Sequence, residues 1–405
     1  MTGSSVRGRQ PARWGERDLG VAARAAVAPF HVMDVWAAAA QRQRTHGDLV
    51  NLSAGQPSTP APEAVRAAAA RALQTEVLGY TVAPGTVELR DAIAAHYGRT
   101  YGLDVAGEDV VVTTGSSGGF LLAFLAAFDA GDRVALARPG YPCYRNILSA
   151  LGCEVVELPC GPDTRFQPTV EMLEALDEPV RGLILASPAN PTGTVVDPDE
   201  LARIATWCEH SGVQLVSDEI YHGITFGDAP ATTCAWSSSR EAVLVNSFSK
   251  YFSMTGWRLG WLVCPPRLRR TVEALAGNFT VCPPALAQHA ALAAFSESAL
   301  AEADGHVPRY GRNRDLLVEG LRELGVDRLA PPDGAFYVYA DVGHLLKPGE
   351  DSMALVYRLL AEAGIAVAPG ADFDPIDGGR FIRLSCAGST EDVQEALRRL
   401  RGWIG

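Results

Sequence analysis

From about residue 50 to residue 285 the chain alternates short, unbroken apolar runs with stretches of helical spacing, and that alternation leaves few folds open. The runs cover residues 110–114, 133–137, 154–158, 182–186, 213–217, 242–246 and 259–263. Most are continuous Val, Leu, Ile and Ala rather than alternating apolar and polar, as strands buried on both faces must be. Helical segments such as 198–210, with Asp199 and Glu200 near its start, lie between them. Strand, helix, strand repetition predicts an α/β domain built on a mainly parallel sheet between helices. In the last hundred or so residues helical stretches (309–324, 352–363) flank strands around 334–340 and 380–385, which predicts a smaller α+β domain. Residues 29–43 are helical in pattern and are expected to pack with it. The expected division is 51–285 for the large domain, 21–50 with 286–405 for the small one, and 1–20 for a poorly ordered arm.

In open α/β sheets ligands bind outside the carboxyl ends of the strands. Five chemically suggestive loops fall there: Gly115-Ser116-Ser117-Gly118, Pro139-Gly140-Tyr141, Ser187 to Gly193, Asp218-Glu219-Ile220-Tyr221, and Ser247-Phe248-Ser249-Lys250. Together they point to one crevice. The first leads into an apolar helix over 120–128, so it offers free backbone N–H groups, hydroxyls and the positive end of a helix dipole to a phosphate. Ser and Gly also make ordinary helix caps, so this signal is weak alone. It is neither the G-x-G-x-x-G dinucleotide fingerprint nor a Walker A loop, which disfavours a NAD-dependent dehydrogenase.

The basic residues narrow the chemistry. Of 35 Lys plus Arg, only Lys250 and Lys347 are lysine. Where charge alone suffices this sequence uses Arg, so a remaining Lys marks a place where a neutral amine could attack a carbonyl. Lys347, before Pro348-Gly349, reads as an exposed turn residue. Lys250 sits among hydroxyls, with Arg258 eight residues on, and Ser247, Ser249 and Arg258 could complete a phosphate cradle. Asp218, ending an apolar run, would be partly desolvated and would seek a cation such as a protonated pyridine nitrogen. The bland alternatives are a helix cap or a metal ligand, and no His or Cys cluster has metal spacing. Asn190 and Tyr221 could donate to a phenolate oxygen and Tyr141 could stack on a ring. Each, taken singly, also reads as structural.

These loops, in this order, resemble the class I/II aminotransferase family of fold-type I pyridoxal 5′-phosphate (PLP) enzymes. The likeness runs from Pro29-Phe30 and Leu52-Ser53-Ala54-Gly55 through Gly79-Tyr80, Asn190-Pro191-Thr192-Gly193 and Gly256-Trp257-Arg258 to Arg380-Phe381-Ile382-Arg383. The resemblance implies that Lys250 carries PLP as an internal aldimine and shuttles protons, in a cycle passing through a pyridoxamine form. It implies that Asp218 pairs with the pyridine nitrogen, that Tyr221 and Asn190 contact the phenolate, and that Tyr141 stacks on the ring. Ser116, Ser117, Ser247, Ser249 and Arg258 would bind the phosphate, with Tyr80 reaching it from a neighbouring subunit of a homodimer. Arg383, aided by Gly55 and Asn190, would grip the substrate carboxylate. The implied function is amino transfer between an L-amino acid and a 2-oxo acid. A PLP lyase or cyclase of the same fold is the alternative, since it would need the same Lys250 and Asp218. Some relatives that take dicarboxylic substrates have a lysine where Ser117 stands, which puts aspartate specificity in doubt.

Charge and composition bound the rest. A net charge of −12 argues against nucleic acid as a partner, since a phosphate backbone needs a basic face. Only about 28 residues precede Pro29, too few for a DNA-binding module ahead of an aminotransferase-like regulator. The most apolar run, 120–128, is far below the roughly 20 residues of a membrane span, so no membrane association is expected. Eight cysteines without a C-x-x-C pair read as reduced thiols of a cytoplasmic protein.

Overall fold

The structure, a computed structural model, describes residues 20–404. The arm expected over 1–20 lies, but for Gly20, outside the described residues.

Among the described residues there are twelve strands. They are β1 (Val50–Asn51), β2 (Val110–Thr113), β3 (Arg133–Arg138), β4 (Glu154–Pro159), β5 (Gly182–Ala186) and β6 (Gln214–Asp218), then β7 (Val243–Ser247), β8 (Gly260–Val263), β9 (Tyr337–Asp341), β10 (Ile365–Ala366), β11 (Ala368–Pro369) and β12 (Phe381–Ser385). The seven apolar runs form one seven-stranded sheet in the order β2-β8-β7-β6-β5-β3-β4. Every pairing in it is parallel except those of β8, which runs antiparallel to β2 and β7. Strands β6 and β7 sit one residue later than the apolar runs predict, so Asp218 and Ser247 close their strands instead of following them. The reason is pairing: Asp218 faces Ala186 on one side and Val245 on the other, and the ladder carries each strand to its polar end.

The helices are α1 (His31–His46), α2 (Glu63–Thr75), α3 (Val87–Tyr101), α4 (Gly115–Ala127), α5 (Pro142–Leu151) and α6 (Val170–Glu174), then α7 (Pro198–Ser211), α8 (Pro266–Phe279), α9 (Ala285–Ala291), α10 (Glu297–Glu323), α11 (Ser352–Ala363) and α12 (Thr390–Ile404). They cover both faces of the large sheet, and two apolar clusters record this. One packs Val112, Leu183, Leu215 and Leu244 against α3, α7 and α9; the other packs Val111, Ile184, Val216 and Val245 against α4, α5 and α8. Alternate residues of one strand thus enter opposite cores, which is why the runs are continuously apolar.

A third cluster joins α1, α10, α11 and α12 to the three-stranded antiparallel sheet β11-β12-β9. This is the α+β character expected of the carboxyl-terminal part. Here β1 pairs in parallel with β10, and Ser385 N–H donates to Leu52 O at 2.7 Å. The segment leading to Gly55 is therefore tied directly to β12, which carries Arg383. No described helix is long and apolar enough to cross a membrane.

Candidate active site

The carboxyl ends of β2, β3, β5, β6 and β7 open on a cavity of about 560 Å³, whose remaining walls come from α1, β9 and β12. Of the residues singled out in the sequence, Gly55, Ser116, Ser117, Tyr141, Asn190, Asp218, Tyr221, Ser249, Lys250, Arg258 and Arg383 line it. Ser247 does not. Its Oγ lies 2.7 Å from Ser249 Oγ and 3.1 Å from Leu259 O, and it accepts the Ser249 N–H at 2.9 Å, so it braces the turn that presents Ser249. Tyr80 is 88% exposed on the outer surface, away from the cavity of its own chain.

At one end lies an anion cradle. The Gly-Ser stretch predicted to precede a helix over 120–128 is itself the first turn of α4, which begins at Gly115. Leading N–H groups of a helix have no intrahelical acceptor, and Thr114 supplies no side-chain cap, so Gly115, Ser116 and Ser117 offer donors beside the positive helix end. Gly115 has a φ of 69°, and a Cβ there would come 2.5 Å from Arg258 Nη2. Glycine at 115 lets the guanidinium lie against the helix end.

The middle of the cavity holds Asp218 and Lys250. Asp218 is buried; Tyr144 Oη donates to its Oδ2 and the Ile220 N–H to its Oδ1 at 3.1 Å, but no cation pairs with it among the described residues. Burial pushes its carboxyl up to about 6, against the pull of those two donors. Lys250 is exposed only in part, lines the cavity, and donates from Nζ to Gly55 O at 2.6 Å. Desolvation, with the charges of Arg383 and Arg258 opposed by Asp218, brings its amine down to about 8. Near neutral pH a useful fraction is therefore the neutral nucleophile.

Arg383 forms the far end. It is 2% exposed, yet no carboxylate pairs with it among the described residues. Nη1 donates to Asn190 Oδ1 and Nη2 to Ser53 O, both at 2.8 Å. Its guanidinium is held between the rings of Tyr337, at 4.3 Å, and Phe373, at 4.8 Å. A planar fork fixed in this way, with N–H groups to spare, suits a carboxylate. A Cβ on Gly55 would lie 2.7 Å from Tyr337 Oη, so this position must be glycine for the aromatic brace to fit.

Sequence reasoning missed Tyr144 and Tyr337. Tyr144, in the first turn of α5, lies three residues after the N-cap residue Tyr141 and meets its ring edge-on at 5.4 Å, and that spacing was the available signal. Tyr337 Oη lies 2.6 Å from Tyr221 Oη and its ring covers Arg383, so it links the two. Also missed was the apolar wall given by Phe30, Val32, Met33 and Trp36 at the start of α1. Lys347 is exposed, as its turn predicts. The eight cysteines are free thiols, and no cluster of metal-ligating side chains occurs among the described residues.

The cavity's chemistry fits PLP part by part. Unpaired α4 N–H groups and Arg258 match a phosphate, a buried carboxylate lacking a cation matches a protonated ring nitrogen, and a partly neutral lysine amine matches an aldehyde. Known proteins resemble this chain over most of its length. The family model for aminotransferase class I and II matches residues 47–400. The valine–pyruvate aminotransferase of Mycobacterium tuberculosis is 65% identical over 384 residues, covering 95% of this chain and 98% of the relative. A crystal structure of an aminotransferase from Mycobacterium tuberculosis superposes with a TM-score of 0.93 at 65% identity, covering 95% of this chain and 99% of that one. The aspartate aminotransferase of Thermus thermophilus with maleate gives a TM-score of 0.88 at 34% identity, over 94% and 98%.

Proposed function

Because the chain belongs to the class I and II aminotransferases, we propose that its central cavity holds PLP at Lys250 and an α-amino acid at Arg383. The enzyme moves an amino group between an amino acid and a 2-oxo acid. Elimination and cyclisation, the alternative that the motifs left open, draw no support from these relatives, all of them aminotransferases. One observation carries the assignment of the site. Three cations without carboxylate partners among the described residues, Lys250, Arg258 and Arg383, face one carboxylate without a cation, Asp218, across a single cavity. A cofactor with a phosphate for Arg258, an aldehyde carbon for Lys250 and a cationic ring nitrogen for Asp218, beside a substrate carboxylate for Arg383, satisfies all four.

When bound, PLP supplies an electrophilic carbon and an electron-withdrawing ring that acidifies the amino acid's Cα–H. The protein does the rest. The α4 amino terminus, Ser249 and Arg258 hold the phosphate, and Tyr141 covers the ring. Asp218 keeps negative charge at the ring nitrogen. Tyr221 and Asn190 donate to the ring oxygen. Arg383 orients the carboxylate so that Cα lies within reach of Lys250, whose Nζ accepts the Cα proton and, once protonated, can return it. Positioned proton transfer of this kind contributes roughly 10²–10⁴-fold.

The substrate pair follows from two supports. The Mycobacterium tuberculosis relative is a valine–pyruvate aminotransferase. The α1 wall is apolar, and every cation lining this cavity is already assigned. Valine as donor and pyruvate as acceptor fit both. A homodimer completes the reading, with the exposed Tyr80 reaching the partner's phosphate site; the nearby Val77 is exposed as well. Work in the cytoplasm accords with the free cysteines.

An absorption spectrum of the purified protein tests the reading. A yellow band that bleaches with valine and returns with pyruvate is expected. Absence of any band after PLP is added removes Lys250 from its role, and bleaching by aspartate but not valine removes the substrate assignment.

A further inference from the structure

Helix α1 enters the structure without a cap of its own. Its N-cap position is Phe30, whose side chain accepts nothing, and Asp34 is the only acidic residue of its first turn. Two of its leading N–H groups are satisfied from the far end of the chain. His31 N–H donates to Asp372 Oδ1 at 2.9 Å and Val32 N–H to Asp372 Oδ2 at 2.7 Å. Asp372 is 3% exposed, so the carboxylate is spent wholly on this helix end, where the dipole also favours it.

The turn so held is the turn that walls the cavity. Phe30, Val32 and Met33 lie within it, and Trp36 follows one turn on. Spacing of 32, 35, 36 and 39 puts an apolar stripe along one side of α1; Val35 and Ala39 anchor it to the small core. Leading turns fray when their N–H groups are unpaired. Without Asp372, Phe30 to Met33 would lose their fixed position while Val35 and Ala39 kept theirs.

The next residue acts on the opposite end of the substrate. Phe373 is fully buried, stacks on the Arg383 guanidinium at 4.8 Å, and shares an apolar cluster with Val32. Its carbonyl accepts the Gly140 N–H at 2.9 Å, beside Tyr141, and the Asp372 carbonyl accepts from Arg145 Nη2 at 3.1 Å. One short turn, Gly370–Asp372 with Phe373, therefore touches the side-chain wall, the carboxylate clamp and the strand end that carries Tyr141.

We infer that Asp372 and Phe373 are paired positioning residues for substrate selection. Asp372 sets the apolar wall that accepts the side chain of an aliphatic amino acid, and Phe373 sets the arginine that accepts its carboxylate. The inference rests on the reading of this cavity as the amino-acid site.

Its test uses the PLP-loaded enzyme and two carboxylates that cannot react, acetate and 3-methylbutanoate, with dissociation constants measured by calorimetry. Each buried methylene is worth about fourfold in affinity, so the branched acid is expected to bind the wild-type enzyme at least about tenfold more tightly than acetate. Asp372→Ala is expected to erase most of that ratio while leaving acetate binding and the cofactor band unchanged. Asp372→Ser, which keeps one oxygen for the helix end, is expected to fall between and covers the case in which the alanine variant does not fold. Phe373→Leu is expected to weaken both acids alike. Parallel loss in the Asp372 variants, or an unchanged ratio in them, overturns the inference. Failure of either acid to bind wild-type enzyme that shows its cofactor band sinks instead the placement of substrate at Arg383.

Discussion

Replacing Tyr144 by Phe isolates the control of the Asp218 charge. The ring would stay, packed edge-on against Phe120 at 5.0 Å and Tyr141 at 5.4 Å, so the change removes one oxygen and leaves little cavity. It takes from Asp218 one of its two donors and leaves only the Ile220 N–H. A hydrogen bond to a charged group is worth about 1.5–3 kcal/mol, or roughly one to two pKa units at about 1.4 kcal/mol each. The sign is fixed by which form the bond favours. Tyr144 donates to the ionised carboxylate and holds the pKa down, so its loss moves Asp218 upward from about 6, into or past the neutral range. Near pH 7 the variant carboxyl would then be largely protonated and unable to pair with a cationic ring nitrogen. PLP affinity of the apo-protein, titrated by absorbance from about pH 6 to about pH 9, should fall on the order of tenfold near neutrality and recover as pH rises. Wild type serves as the reference, because Lys250 titrates alike in both. Identical pH dependence in the two proteins would refute the argument that Tyr144 governs this charge.

In the role proposed for it Lys250 must be neutral to accept a proton, and its amine sits at about 8. The rate should therefore fall as pH drops below that value, and Lys250→Ala should abolish both the limb and turnover while the far-ultraviolet dichroism stays native; turnover without added amine would remove the residue from its role. Gly55→Ala places a methyl 2.7 Å from Tyr337 Oη, and overpacking of this kind costs about 1–3 kcal/mol. KM for amino acids should rise on the order of tenfold through the displaced Arg383 brace, and an unchanged KM would show that the brace is irrelevant. Glu219 is buried, with Oε2 unpartnered and Oε1 accepting from Ser217 Oγ and the Ala235 N–H. Burial raises its carboxyl to about 7, above its unfolded value, so the stability it contributes is present below about pH 4.5 and is lost as pH rises toward 7. Glu219→Gln should recover on the order of 3 kcal/mol above about pH 8, read as a higher Tm there and little gain in acid; equal shifts at both pH values would contradict the burial argument.

The large sheet was legible because its strands enter two cores, and double burial leaves a mark that one sequence can carry. Boundaries were less legible. Asp218 and Ser247 looked like residues after a strand because they are polar, whereas pairing with Ala186 and with Gly260 keeps them inside it. Loops at strand ends identified most of the cavity, since topology alone collects them in one place. What could not be read was contact between distant segments. Tyr144 and Tyr337 belong to patterns that are ordinarily core, and only the approach of β6, β9 and β12 turns them toward Asp218, Tyr221 and Arg383. Asp372 reads as a turn aspartate; that it caps a helix beginning 341 positions earlier is a property of the fold.

The scarcity of lysine and the asymmetry of the cavity have one cause. A cation that must hold a carboxylate should never lose its proton, and an arginine side chain keeps its charge and offers a planar fork. An amine that must attack a carbonyl has to lose its proton, and only lysine can be pushed there by desolvation and neighbouring positive charge. Arg383 and Arg258 help to perform that push on Lys250, while Asp218 opposes it. The arginines proposed to hold the two ends of the ligands therefore also tune the group between them. Exchange of Lys250 for Arg would keep the charge and lose the chemistry; exchange of Arg383 for Lys would lose the fork and add a second amine able to titrate. In a chain that elsewhere settles nearly every basic position with arginine, the one lysine in this cavity stands where charge is the wrong property to conserve.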